Sequence, residues 1–170
     1  MLVNVTGVKP GSTFESLLRT VGFVVVQWGH CEQSLELLVN TLFRQYGGRK
    51  LPRRKKMPRH VSDKIAFLKE CGAQVASLAS FRKELESLAF DFDKVLQMRH
   101  DLVHGALTDT PIRNGVFTFI RLEAHPDIHE VKEFLYDLKD FPALEASLMD
   151  LGAKATALAR RVFAARPNSP

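Results

Sequence analysis

The sequence has little of what would excuse it from building an ordinary packed core. Cysteine occurs twice in 170 residues, at Cys31 and Cys71. Both sit inside helical patterns without metal-ligand spacing, which excludes a disulfide-stapled scaffold and a zinc knuckle. They read as reduced core thiols of a cytoplasmic protein. No apolar run approaches the roughly 18 residues of a membrane span; Val21–Val26 gives way at once to Gln27, Gly29, His30 and Glu32. The opening stretch MLVNVTGVKPGS lacks a charged start followed by an apolar block, so no secretory leader is expected. A glycine-rich phosphate loop, a G-x-S-x-G elbow and an H-E-x-x-H zinc helix are all missing. What is present is 45% apolar and 25% charged sequence, enough for one compact domain over residues 1–170 without metal or cofactor.

Charge is unevenly spread. The net charge of +5 comes from 24 basic and 19 acidic residues. Arg49, Lys50, Arg53, Arg54, Lys55, Lys56 and Arg59 fall in one acid-free stretch, and without those seven the chain holds 17 basic against 19 acidic residues. The entire positive excess therefore lies in residues 48–60. Such a loop attracts polyanions, nucleic acid first among them, or else stays a solvated loop that only aids solubility. With no apolar anchor beside it, a membrane surface is not its expected partner.

Apolar spacing sets the elements. Ser12-Thr13-Phe14-Glu15 is a capping box, with Glu15 reaching back toward the N-cap. Val21, Val24, Trp28, Cys31, Leu35, Leu38 and Leu42 then recur at steps of three and four, which predicts a long helix from Ser12 to Tyr46 ended by Gly47-Gly48. Gly22 and Gly29 within it mark either close helix contacts or a bend. A short helix over Ser62–Gly72 follows. A third runs from near Ser80 to His104, with Gly105 as its stop. The period then falls to two: Val116, Thr118, Ile120 and Leu122 alternate with Phe117, Phe119, Arg121 and Glu123. With turns at Arg113-Asn114-Gly115 and His125-Pro126-Asp127, a short strand near Ala106–Thr110 and a return strand over His129–Leu138, this predicts a small antiparallel meander over residues 106–138. Asp140 and Pro142 open a last helix, and residues 166–170 are expected to be a disordered tail. The expected class is mainly α: about four helices with a β-meander inserted before the last.

One stretch concentrates polar chemistry. Gln97-Met98-Arg99-His100-Asp101-Leu102-Val103-His104-Gly105 closes the third helix. His100 and His104 lie four apart, as do His125 and His129, a spacing that suits a metal on a helix face, but neither pair has a third ligand nearby beyond Asp101; no metal site is assigned. Arg99-x4-His104 followed by glycine, inside Leu102-Val103-His104-Gly105, resembles the R-x4–6-H signature of HEPN domains. Its place on a core helix, after a long amphipathic helix bearing Trp28 and Glu32, fits as well. His100 stands where the family commonly has Asn or another polar residue after its arginine, and is the departure from the pattern.

The resemblance implies a HEPN-like helical bundle and a metal-independent endoribonuclease, in a toxin–antitoxin or defence setting, with RNA as substrate and an antitoxin or another protein as possible partner. A non-catalytic HEPN-like dimer binding nucleotide, nucleic acid or protein is the alternative. Cleaving RNA without metal needs a base for the 2′-hydroxyl proton, a cation on the phosphoryl oxygens and an acid for the leaving 5′-oxygen. His104 suits acid or base work near neutral pH, and Arg99 offers a permanent fork for phosphate. The expected product carries a 2′,3′-cyclic phosphate. Five residues of ideal helix rise about 7.5 Å and turn about 140°, which places Arg99 and His104 of one chain on different faces. One His104 also cannot stand on both sides of phosphorus. A homodimer answers both points, and HEPN proteins are typically dimers. His100 either assists, stacks on a base or faces solvent. Asp101 either orients a histidine or lies on the surface. Glu32 either meets the motif or is a surface residue. Trp28, Phe117 and Phe119 are expected in the core or a dimer face rather than as base-stacking platforms.

Overall fold

The computed structural model describes residues 9, 11–52, 56–108, 115–124 and 129–165, with backbone alone at 123, 124 and 129. The expected class is what the chain adopts: four α-helices, with a three-stranded antiparallel sheet before the last. They are α1 (Thr13–Gln45), α2 (Val61–Gln74), α3 (Arg82–His104) and α4 (Phe141–Ala164), with strands β1 (Ala106–Leu107), β2 (Val116–Ala124) and β3 (His129–Asp137). The 3-10 turns Gly48–Lys50, Ala76–Phe81 and Leu138–Asp140 are too short for an apolar period to single them out in the sequence. The expected strand at Ala106–Thr110 shortens to two residues, and its last two lie outside the described residues. The turns at Arg113-Asn114 and His125–Asp127, and the tail 166–170, lie outside them too.

The chain divides into two compact units, residues 1–26 with 96–147 and residues 27–95 with 148–170. In the second unit four helical segments form a bundle. Trp28 stands edge-on to Phe92, with ring centroids 6.1 Å apart, and is buried, as the core reading expects. Cys31 and Cys71 are buried thiols. Burial pushes Cys31 up to about 11, so it is inert at neutral pH. Polar bonds tie α1 and the residue after it to α4: Ser34 Oγ to Thr156 Oγ1 at 2.8 Å, and Tyr46 Oη donating to the Val162 carbonyl at 2.6 Å. Gly47, at φ 79°, ends α1. Gly48 follows where a Cβ would meet Phe67 Cζ at 2.6 Å and the Leu42 carbonyl at 2.9 Å. Gly22 and Gly29 mark no close contact: nothing described lies within 4 Å of a Cβ built at either.

The first unit joins the start of α1, the end of α3, the sheet and the start of α4. Ser12 Oγ caps α1 by accepting from Glu15 N at 3.2 Å. The Glu15 carboxylate reaches one residue past the N-cap and accepts from Gly11 N. Thr20 Oγ1 donates to Glu145 Oε1 at 3.0 Å, linking α1 and α4. β2 lies between β1 and β3, with Phe119 opposite both Leu107 and Phe134. Period two separates the faces. Phe117 and Phe119 are buried, Phe117 stacked 6.1 Å from Phe141, so both serve as core and not as platforms for bases. Leu122, Val131 and Leu135 stand exposed on the other face.

Candidate active site

The motif ends α3, and Gly105 explains what lies next to it. Gly105 N donates to the Asp101 carbonyl at 2.8 Å, so the helical pattern runs to its end without unwinding. Gly105 is the helix stop the sequence predicts, since α3 ends at His104, but a positive φ is not what requires glycine there: the positive-φ glycines described are Gly11, Gly47 and Gly115. Glycine is required by space instead: a Cβ at 105 would lie 2.3 Å from the Asp101 carbonyl oxygen and 3.3 Å from Phe119 Cβ. That close approach lets β2 run against the helix end. Two strand residues advance about 6.8 Å and four helical residues about 6.0 Å, so stepping from Phe119 to Arg121 matches stepping back from Gly105 to Asp101.

Arg121 duly meets Asp101. The guanidinium and carboxylate form an ion pair whose side chains are only 14% and 10% exposed. Tyr136 Oη, from β3, donates to the other Asp101 oxygen at 3.3 Å. Burial first, then the Asp101 charge and that bond, push the Tyr136 phenol up, so it remains a donor. The Arg121 guanidinium also lies over the Phe134 ring, 5.0 Å from its centroid. Asp101 is thus neither a surface residue nor in direct contact with a histidine. It anchors Arg121, and Arg121 reaches the histidine: its Nη1 donates to His100 Nδ1 at 2.7 Å.

Arg99 and His104 contact each other within one chain, Nη1 donating to Nε2 at 2.9 Å. This corrects the inference that helix rotation keeps them apart. The backbone rotation holds, but the arginine side chain is long enough to reach along and around the last turn. His100 and His104 also touch, with ring centroids 4.8 Å apart. All four motif residues therefore form one cluster: two imidazoles, each accepting from a guanidinium, around one carboxylate. His100 is pulled down from the usual histidine range by burial first, then by the charges of Arg121 and His104 and more weakly Arg99, with Asp101 opposing.

Sequence reasoning missed Arg121 and Tyr136. The signal that could have found the first was Arg121 continuing the Phe117–Phe119 face, where a charge needs a partner. Of the basic loop, Arg49, Lys50, Lys56 and Arg59 are exposed, while Arg53, Arg54 and Lys55 lie outside the described residues. Among the described residues no group of three or more His, Cys, Asp or Glu side chains is placed to hold a metal ion, and the side chains of the His125–His129 pair lie outside what is described. No helix among them is long and apolar enough to cross a membrane. No family model, curated protein or solved structure matches the chain.

Proposed function

We propose that the protein is a HEPN-type, metal-independent endoribonuclease, with Arg99 and His104 as its reacting pair. The observation that carries this reading is the 2.9 Å contact between the Arg99 guanidinium and His104 Nε2 at an exposed helix end. An arginine donates and never accepts, so His104 holds a lone pair on Nε2 and its proton on Nδ1. A phosphodiester arriving at the cluster competes for the Arg99 fork. As the guanidinium turns to the phosphoryl oxygens, the Nε2 lone pair is released beside the substrate. His104 then takes the 2′-hydroxyl proton, the 2′-oxygen bonds to phosphorus, and the bond from phosphorus to the 5′-oxygen breaks. The proton needed by that leaving oxygen comes from an imidazolium on the opposite side, which a second copy of the chain supplies as its own His104. The dimer no longer rests on separating Arg99 from His104; it rests on this in-line requirement. The exposed basic residues Arg49, Lys50, Lys56 and Arg59 gather the polyanion. A cytoplasmic toxin or defence role, restrained by a partner protein, suits such an activity.

The test is RNA incubated with the purified protein in EDTA, comparing wild type with His104→Ala and Arg99→Ala. The expected result is cleavage with 2′,3′-cyclic phosphate ends, at least about 100-fold slower in His104→Ala. Cleavage that EDTA abolishes, or that survives both substitutions, overturns the assignment. Salt-sensitive RNA binding without cleavage supports the non-catalytic module instead.

A further inference from the structure

Two imidazoles sit in the cluster, and their guanidinium partners come from different elements. Arg99 comes from the same helix as His104 and is half-buried. Arg121 comes from the sheet and is held by the Asp101 carboxylate and by the Phe134 ring beneath it, and Asp101 is held in turn by the Tyr136 hydroxyl. Tyr136 is itself held edge-on to buried Phe119, with centroids 5.7 Å apart. Each link uses a residue on the covered face of β2 or β3. A phosphate able to draw Arg99 away would have to break a nearly buried ion pair to draw Arg121.

We propose that Arg121 is a positioning residue that fixes His100 as an Nε2–H hydrogen-bond donor for an oxyanion. The guanidinium fills the Nδ1 lone pair at 2.7 Å, so the neutral ring carries its proton on Nε2. A ring with Nδ1 taken and Nε2 protonated has no lone pair left to act as a base. It is an electrophile, a fixed N–H able to steady a phosphoryl oxygen while His104 moves the proton. The neighbouring charges agree: Arg121 from β2 and Arg99 from α3, joined by His104 when that ring is itself protonated, disfavour the imidazolium, and Asp101, spent on Arg121, opposes them only in part. The histidine that departs from the family pattern thereby keeps what an asparagine would offer, a neutral N–H donor. The oxyanion's identity as an RNA phosphate rests on the proposed function; the state of the ring does not.

The experiment has two arms. The first needs no RNA. Nitrogen-detected NMR titration of the histidines in the full chain is expected to show His100 as the Nε2–H tautomer, with a midpoint below the ordinary value of about 6.5. Arg121→Gln is expected to raise that midpoint and shift the Nδ1 resonance, and Arg121→Lys, whose ammonium also donates, to restore both. A wild-type His100 protonated on Nδ1, or titrating at or above the ordinary value, overturns the assignment even if Arg121→Gln fails to fold. The second arm compares cleavage by His100→Ala and His100→Gln. Removing one such donor costs about 100-fold in rate, and glutamine, whose amide N–H reaches the Nε2 position, is expected to recover at least about tenfold of it. Equal losses overturn the donor role. A wild type that does not cleave RNA counts against the nuclease and leaves the NMR result standing.

Discussion

Replacing Asp101 with alanine takes the carboxylate out of the cluster. The cost follows from burial: the two side chains of the ion pair are 10% and 14% exposed, well below the level at which solvent screens a surface pair. Breaking a buried pair from one side costs about 3–5 kcal/mol, because it strands the remaining charge. Arg121 keeps two other partners, His100 and the Phe134 ring, so the low end, about 3 kcal/mol, applies. Tyr136 loses its acceptor too, but over a 3.3 Å bond, for about 1 kcal/mol. Arg121→Met strands Asp101 in turn and costs about 3 kcal/mol by the same reasoning. Removing both charges together leaves no charge stranded, only the Tyr136 hydroxyl without its acceptor, so the double variant should cost far less than the sum of the singles. The expected coupling is about 2–3 kcal/mol. Urea unfolding of the four proteins of this cycle, with equal m-values as the check on two-state behaviour, measures it. Single losses under about 1 kcal/mol that add to within about 0.5 kcal/mol would refute the view that the sheet is locked to the helix end by this pair.

Three more outcomes follow from the same geometry. His100 sits below the ordinary histidine range in the folded chain, so the unfolded chain binds its proton first as pH falls. Its contribution to stability is complete above the ordinary value of about 6.5 and is lost as pH falls through the lowered one, so wild type should lose more stability than His100→Gln between neutral and mildly acidic pH; equal losses in urea titrations would count against it. Gly105→Ala places a methyl group 2.3 Å from a backbone carbonyl that cannot step aside, and should cost about 1–3 kcal/mol, read as a lower urea midpoint. Neutralising Lys50, Lys56 and Arg59 together should weaken single-stranded RNA binding and flatten the plot of log affinity against log salt by about 0.7 for each phosphate that is no longer neutralised; an unchanged slope would take the loop out of the interface.

Where the sequence could be read, it was read through periodicity. Leu35, Leu38 and Leu42 on α1, and Leu148, Leu151 and Leu158 on α4, repeat at helical spacing because one face of each is buried. The alternation from Val116 to Glu123 is visible for the same reason in a strand, and it separates buried Phe117 and Phe119 from exposed Leu122. The motif itself was legible because Arg99, His100, Asp101 and His104 are neighbours in sequence. Their chemistry was not, because it is decided by residues 20 and 35 positions further on. Which strand residue meets which helix residue depends on how closely β2 can approach Gly105, a matter of one missing methyl group that no spacing rule records. Gly105 was legible as the helix stop, but what requires glycine there was not: the space left by Phe119 and the Asp101 carbonyl rather than its own φ. The space that only glycine leaves at 105 lets Phe119 lie against the helix end, and two residues on, Arg121 meets Asp101. The reading of Arg99 and His104 as separated failed for a related reason. It followed Cα positions around the helix axis, whereas a guanidinium on a three-methylene stem covers the difference, so contact at a helix end has to be judged from side-chain reach as well as from backbone rotation.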